Sequence, residues 1–159
     1  FCRQVRDLRP GFAFGADLIA GFPTETEEMF ARSLDIVDEC GLSFLHVFPY
    51  SPRDGTPAAR MPQLDRGLIK QRAARLRQRG EQAYDAHLDA MATAGGTHSV
   101  LVEFSGMART ENFTPVLASE APRGQMALVR INGRTEDHLT GDVVADRVDH
   151  IQTADLAAD

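Results

Sequence analysis

The feature that most constrains this chain is a stretch of about 35 residues in which two short apolar runs flank an amphipathic one. Residues 16–21 (ADLIAG) are apolar enough for a buried strand. Thr24 and Glu27 then form a capping-box signature, in which hydroxyl and carboxylate satisfy the free amides of a helix start. Met29, Phe30, Leu34, Val37 and Cys40 recur at helical spacing, with Asp35, Asp38 and Glu39 outward, until Gly41 supplies a helix-ending residue. Residues 43–50 (SFLHVFPY) read as the next strand. Strand, helix and strand in this length form a βαβ unit, whose strands are expected to be parallel and buried on both faces.

Alternation along each strand sorts the side chains. Asp17, Ile19 and Gly21 share one face, as do His46, Phe48 and Tyr50, while Leu18, Ala20, Leu45 and Val47 suit packing against helices. The polar-containing faces therefore point to a lumen or crevice. In parallel α/β architectures ligands bind near the strand C-terminal ends, here residues 21–25 and 49–56.

Beyond a Pro-rich turn, residues 64–91 have helical spacing in Leu68, Ile69, Leu76, Ala83, Leu88 and Met91. Arg66, Lys70 and Arg77 fall on one flank of this helix, Arg72, Arg75 and Arg79 on another, and Gly80 predicts a bend or break. From Thr97 the period becomes two, with Val100, Val102 and Phe104 set against Ser99, Leu101 and Glu103. Turn signals at Ser105-Gly106, Pro122-Arg123-Gly124, Asn132-Gly133 and Gly141-Asp142 divide the region into about four or five short strands, as in a small antiparallel barrel of OB-like kind. The predicted organisation is an α/β segment over 1–63, a basic connecting helix over 64–96, an all-β domain over 97–145 and a disordered acidic tail over 146–159.

Charge narrows the partners. The net charge of -6 argues against a generally basic nucleic-acid binder, yet residues 51–82 hold seven Arg and Lys70 against only Asp54, Asp65 and Glu81. Two cysteines, Cys2 and Cys40, exclude a disulfide framework and match no CxxC spacing; Cys40 reads as a core residue. A zinc site from Cys40 and His46 has no supporting spacing, and His87, His98, His138 and His150 receive no role. With 43% hydrophobic and 25% charged residues the chain is neither collagen-like nor wholly disordered. No apolar run approaches the ~18 residues of a membrane span and no export signal is evident, so the expected compartment is the cytoplasm. A chain opening on Phe inside a helical stretch, residues 1–8, reads as part of something longer.

Two stretches carry a resemblance. Residues 17–26 (DLIAGFPTET) and 48–59 (FPYSPRDGTPAA), in this order, resemble two runs of the radical S-adenosylmethionine tRNA methylthiotransferases, and the form His46-Val47-Phe48-Pro49-Tyr50 is most similar to the MtaB branch, which acts on threonylcarbamoyladenosine. Val100-Leu101-Val102-Glu103 and Arg109-Thr110-Glu111-Asn112-Phe113 resemble the RNA-binding TRAM domain of that family, so the likeness covers about residues 1–145. The resemblance implies the last βα units of a radical enzyme's TIM-like barrel followed by a TRAM barrel. It further implies methylthiolation of the C2 carbon of the modified adenosine, with S-adenosylmethionine and 4Fe-4S clusters as cofactors and the tRNA anticodon stem-loop and the upstream polypeptide as partners.

Site residues follow from the same resemblance. Asp17, Ile19, Gly21, Glu25, Phe48 and Tyr50 are expected at the cofactor, with Ile19 against adenine and Gly21 allowing close backbone approach. Structural readings stand beside these: Glu25 as a first-turn helix carboxylate, Asp17 as a lumen hydrogen-bond anchor, Phe48 and Tyr50 as barrel core. Arg53, Arg60, Arg109, Phe113, Arg130 and Arg134 are expected at RNA, Arg53 and Arg60 flanking the Ser-x-Arg-x-Gly-Thr loop. The family's CxxxCxxC run is absent, so no residue here is expected to ligate a cluster or act catalytically, and the chain alone is expected to be inactive. Alternatives are a stand-alone TRAM-like RNA-binding module, the isopentenyladenosine or ribosomal-protein branches, and a barrel piece of another radical enzyme or an aldolase-like barrel.

Overall fold

The structure, a computed structural model, describes residues 1–104, 106–118 and 121–145, and the chain divides between His87 and Leu88 into two compact units. Residues 146–159, expected as a disordered tail, lie outside the described residues. The first unit contains helix α1 (Cys2–Leu8), strand β1 (Phe14–Ala20), helix α2 (Glu27–Cys40), strand β2 (Leu42–Pro49), a 3-10 turn (Ala58–Arg60) and the larger part of helix α3 (Arg66–Ala94). β1 and β2 pair in parallel, with Asp17 opposite His46 and Ile19 opposite Phe48.

The βαβ reading holds, with changes at its joints. β1 begins two residues earlier than the apolar run, and Gly21 falls outside it at φ 84°. The cap of α2 is Thr26, whose hydroxyl accepts from the Met29 amide at 3.1 Å. The predicted Thr24–Glu27 box does not form, because the Glu25 amide closes a tight turn onto the Phe22 carbonyl at 2.8 Å and delays the helix start. Glu27 reaches Arg75 and Arg72 instead of the helix start. Gly41 ends α2 in the left-handed region at φ 56°, as its position predicts.

Phe30 and Val37 from α2 are buried together with Phe14 and Ala20 from β1, Leu42 from β2, and Ala73 and Leu76 from α3. Each larger side chain so buried contributes about 1.5–3 kcal/mol. Met29, expected on this inner face, is exposed, and Cys40 is half-buried at its margin. The strands are not buried on both faces: the face of Leu18, Ala20, Leu45 and Val47 packs inward, whereas Asp17, Ile19, His46 and Phe48 are exposed. A two-stranded sheet leaves that second face open.

α3 starts at Arg66 with the Leu68 amide donating to Asp65 Oδ1 at 3.1 Å, and runs unbroken for 29 residues. Gly80 does not interrupt it. It lies against β2, where an added Cβ would stand 3.0 Å from Leu45 Cβ, so the glycine serves close helix–strand approach.

The second unit is a closed barrel of β3 (Thr97–Phe104), β4 (Met107–Thr110), β5 (Pro115–Leu117), β6 (Met126–Arg134) and β7 (Leu139–Ala145), in the order β3-β4-β5-β7-β6. Its connectivity is compatible with an OB-like barrel. The expectation of a wholly antiparallel barrel is corrected at one seam, since β5 and β7 pair in parallel. Val100, Val102, Val116, Ala127, Val129 and Leu139 fill the interior. Phe104 leaves that set and is exposed, because the β3–β4 register shifts between Val102 and Phe104.

Two of the four turn signals lie inside strands. Asn132-Gly133 belongs to β6 and Gly141-Asp142 to β7, and the hairpin between them is closed by the Thr135 amide donating to the His138 carbonyl at 2.7 Å. Gly141 sits where a Cβ would come within 2.6 Å of the Arg130 carbonyl oxygen, so close strand approach, not a turn, requires it.

Candidate functional site

The open face of the first unit leads into a groove of about 630 Å³ at the C-terminal ends of β1 and β2. Four of the six residues expected at a cofactor line it: Asp17, Ile19, Phe48 and Tyr50. They meet there because the parallel register sets Asp17 beside His46 and Ile19 beside Phe48, and the Tyr50 amide extends the ladder by donating to the Ala20 carbonyl at 2.8 Å. Ile19 is 58% and Phe48 52% exposed, so neither is core. The Tyr50 ring packs edge-on against Phe22, and its buried hydroxyl has no hydrogen-bond partner among the described residues. A groove of this volume with apolar walls and a few polar groups has the character of a small-molecule site.

Gly21 and Glu25, also expected at the cofactor, are not among the groove's lining residues. Gly21 does permit a close approach, but by Ile69 of α3: an added Cβ would lie 2.7 Å from Ile69 Cγ1. The Glu25 carboxylate accepts from the Gly21 amide at 2.9 Å and from Arg72 Nη1 at 2.9 Å. It therefore fastens the loop after β1 to α3, neither touching the groove nor capping a first turn.

Arg72 was legible in the sequence only as one of a basic flank. It is 4% exposed, donates to the Glu25 carbonyl, Glu25 Oε2 and Glu27 Oε2 at 2.8, 2.9 and 3.1 Å, and lies over the Phe30 ring. Arg75 pairs with Glu27, and Arg79 with Asp38. The whole flank is thus a clamp between α3 and α2. Hydrogen bonds from Arg75, then Arg72, hold the Glu27 carboxyl below its ordinary value. On the other flank Arg77 donates to the Val47 carbonyl at 3.2 Å. His87 stacks edge-on against Phe44, and burial lowers its pKa.

Arg53 lies on the groove rim in the loop after β2, where its carbonyl accepts from the Thr56 amide and hydroxyl. Arg60 is exposed in the 3-10 turn and does not line the groove.

In the second unit, Arg109 and Phe113 are brought together. Arg109 Nε donates to both oxygens of Glu103 at 3.1 and 3.0 Å, and its Nη1 to the Phe113 carbonyl at 3.1 Å. Phe113 has φ 61°, a costly conformation for an aromatic residue, and its side chain is 72% exposed at the tip between β4 and β5. The cross-strand row Arg109, Leu101, Met126 continues this exposed face over three strands. Arg130 is exposed on β6. Arg134 is not part of this face: its Nε is bound to Asp89 Oδ1 at 2.7 Å.

Among the described residues no group of three or more His, Cys, Asp or Glu is placed to hold a metal ion, and no helix is long and apolar enough to cross a membrane.

No protein-family profile matches the chain. It is 48% identical over 144 residues, 87% of its length, to the threonylcarbamoyladenosine tRNA methylthiotransferase MtaB of Rickettsia prowazekii, and 49% identical over 74 residues, 46% of its length, to MtaB of Bacillus subtilis. It is 36% identical over 143 residues, 89% of its length, to the tRNA-2-methylthio-N(6)-dimethylallyladenosine synthase of Sorangium cellulosum. The chain spans 33%, 16% and 28% of these three relatives respectively. With the sequence runs at the ends of β1 and β2 and these matches taken together, the chain belongs to the tRNA methylthiotransferase family.

Proposed function

We propose that the chain is part of a longer methylthiotransferase, in which it supplies one βαβ segment of the S-adenosylmethionine-binding barrel and a TRAM-type barrel that grips tRNA. The intact enzyme then methylthiolates the C2 carbon of threonylcarbamoyladenosine beside the anticodon, in the cytoplasm. The observation that carries this reading is the 48% identity to the Rickettsia enzyme, sustained over 144 residues that include most of both units. The lower identity to the dimethylallyladenosine synthase, 36%, supports the substrate branch.

The residues at the groove suit the nucleoside part of the cofactor. Ile19 and Phe48 offer apolar walls for adenine, and the buried Tyr50 hydroxyl, without a partner among the described residues, is a group that a bound ligand can satisfy. Asp17 offers an acceptor to a hydroxyl or amine. S-adenosylmethionine, when bound, supplies the radical precursor and the methyl group. This chain's residues enclose and orient it. Cys2 and Cys40 are too few to ligate a 4Fe-4S cluster, so the cluster thiolates belong to the remainder of the enzyme.

For RNA, Phe113 presents a ring for base stacking and Arg109 a guanidinium held beside it, while Arg53, Arg60 and Arg130 are further backbone contacts. In anisotropy titrations of an anticodon stem-loop with this chain, Phe113→Ala is expected to cost about 1–3 kcal/mol of binding. Arg109→Ala is expected to reduce the slope of log affinity against log salt by about 1. Unchanged affinity and slope in both variants would remove this face from the RNA site.

A further inference from the structure

We propose that Glu103 is a positioning residue of the RNA face: its carboxylate fixes the Arg109 guanidinium, and through it the tip that presents the Phe113 ring to an unpaired base. This inference rests on the reading of that face as an RNA surface. An acidic residue beside the groups that would meet a phosphate backbone is otherwise a liability, since its charge repels RNA. The barrel nevertheless places one there. Val102 pairs with Ala108 and Phe104 with Met107, so Glu103 is the extra residue of a β-bulge and has no partner opposite it on β4. Bulges re-aim side chains, and here the carboxylate meets Arg109.

Arg109 is held from two sides. Its Nε donates to Glu103 Oε1 and Oε2 at 3.1 and 3.0 Å, and its Nη1 to the Phe113 carbonyl at 3.1 Å. Phe113 is, among the described residues, the one non-glycine residue with positive φ, at 61°. The rest of the tip is tied by backbone and hydroxyl. The Phe113 amide donates to the Thr110 carbonyl at 2.9 Å, the Thr110 amide to the Thr114 carbonyl at 3.0 Å, and the Thr114 amide to the Thr110 hydroxyl at 3.2 Å. Thr110 and Thr114 are buried, whereas the Phe113 ring is exposed. An aromatic residue held outward in a strained backbone is a preorganised stacking surface, and the Arg109 bond closes that frame at the Phe113 carbonyl.

The ion pair is not what holds the barrel together. Arg109 and Glu103 are 45% and 34% exposed, and a pair so solvated adds little to stability. What it supplies is order: without Glu103, the long Arg109 side chain and the tip it ties must be ordered at the moment RNA binds.

The test is anisotropy titration of an anticodon stem-loop with the full chain carrying Glu103→Ala, Glu103→Gln, Arg109→Ala or both Ala substitutions, beside thermal unfolding and amide exchange of the RNA-free chain. Glu103→Ala is expected to weaken binding about threefold to tenfold although it removes a negative charge, with the melting temperature unchanged. Glu103→Gln, which keeps one acceptor for Arg109 Nε, should fall between. The Phe113 amide should exchange faster in Glu103→Ala. In the Arg109→Ala background, Glu103→Ala should cause no further loss. Unchanged or tighter binding by Glu103→Ala, while Phe113→Ala still weakens it, would overturn the positioning role and leave the RNA face standing. An equal loss with and without Arg109 would show that Glu103 acts on RNA by itself, contrary to the proposal. No effect of Phe113→Ala and Arg109→Ala would remove the RNA face, and the positioning role with it.

Discussion

Replacing Arg72 with Ala lowers the unfolding free energy of the first unit by about 3–5 kcal/mol. The expectation follows from what is left behind. The Arg72 and Glu25 side chains are 4% and 8% exposed, so removal of the guanidinium strands a carboxylate in a place with little water to solvate it. The same side chain holds the Glu25 carbonyl and lies over the Phe30 ring, contacts that Lys cannot reproduce with the same geometry. Arg72→Lys is therefore expected to recover only part of the loss. Urea unfolding followed by circular dichroism measures it, and adding Glu25→Gln to Arg72→Ala should restore stability by neutralising the stranded charge. A loss below about 1 kcal/mol, the ordinary range of a solvated surface pair, would show that the clamp is not desolvated.

The second large effect is expected at Gly21, where two penalties coincide. A side chain at φ 84° meets left-handed strain of about 1–2 kcal/mol. The added Cβ also stands 2.7 Å from Ile69 Cγ1, and overpacking of this kind costs about 1–3 kcal/mol. Gly21→Ala should therefore destabilise the first unit by the sum and displace the loop that carries Glu25. The two parts separate by a cycle: in an Ile69→Ala background the clash is gone, and Gly21→Ala should cost only its conformational part. Equal costs in both backgrounds would mean that the close approach to α3 contributes nothing. Wild-type stability for Gly21→Ala would contradict both parts.

These two residues also show where sequence reasoning ran short. Alternation assigned Asp17, Ile19, Phe48 and Tyr50 to one side of the sheet, and all four line the groove. Period and register suffice for residues on strands. Gly21 and Glu25 lie just past the strand end, where orientation depends on a partner 47 residues away from Glu25, and nothing local reports that Arg72 will be buried against it. Acidic residues at 25, 27 and 38 facing arginines at 72, 75 and 79 were the available signal, visible only once α2 and α3 are known to be neighbours.

The barrel repeats the lesson. Val100 and Val102 were readable as interior from their spacing, but a register shift before Phe104 reversed the next position. Gly133 and Gly141 looked like turn residues because glycine serves turns and close strand approach alike, and only the pairing of β6 with β7 decides between them. Arg109 and Phe113 are four positions apart and joined by a local hydrogen bond, so their pairing is a short-range matter. Arg134 is fixed by Asp89, which is remote in sequence.

The proposed role of this chain, within an enzyme that methylthiolates tRNA at threonylcarbamoyladenosine, has a direct test. Mass spectrometry of tRNA nucleosides from a strain lacking the gene tests it most directly. The expected result is loss of the 2-methylthio form of threonylcarbamoyladenosine, with the unthiolated nucleoside accumulating and methylthiolated isopentenyladenosine unchanged; an undiminished level of the methylthio form of threonylcarbamoyladenosine would overturn the proposed role.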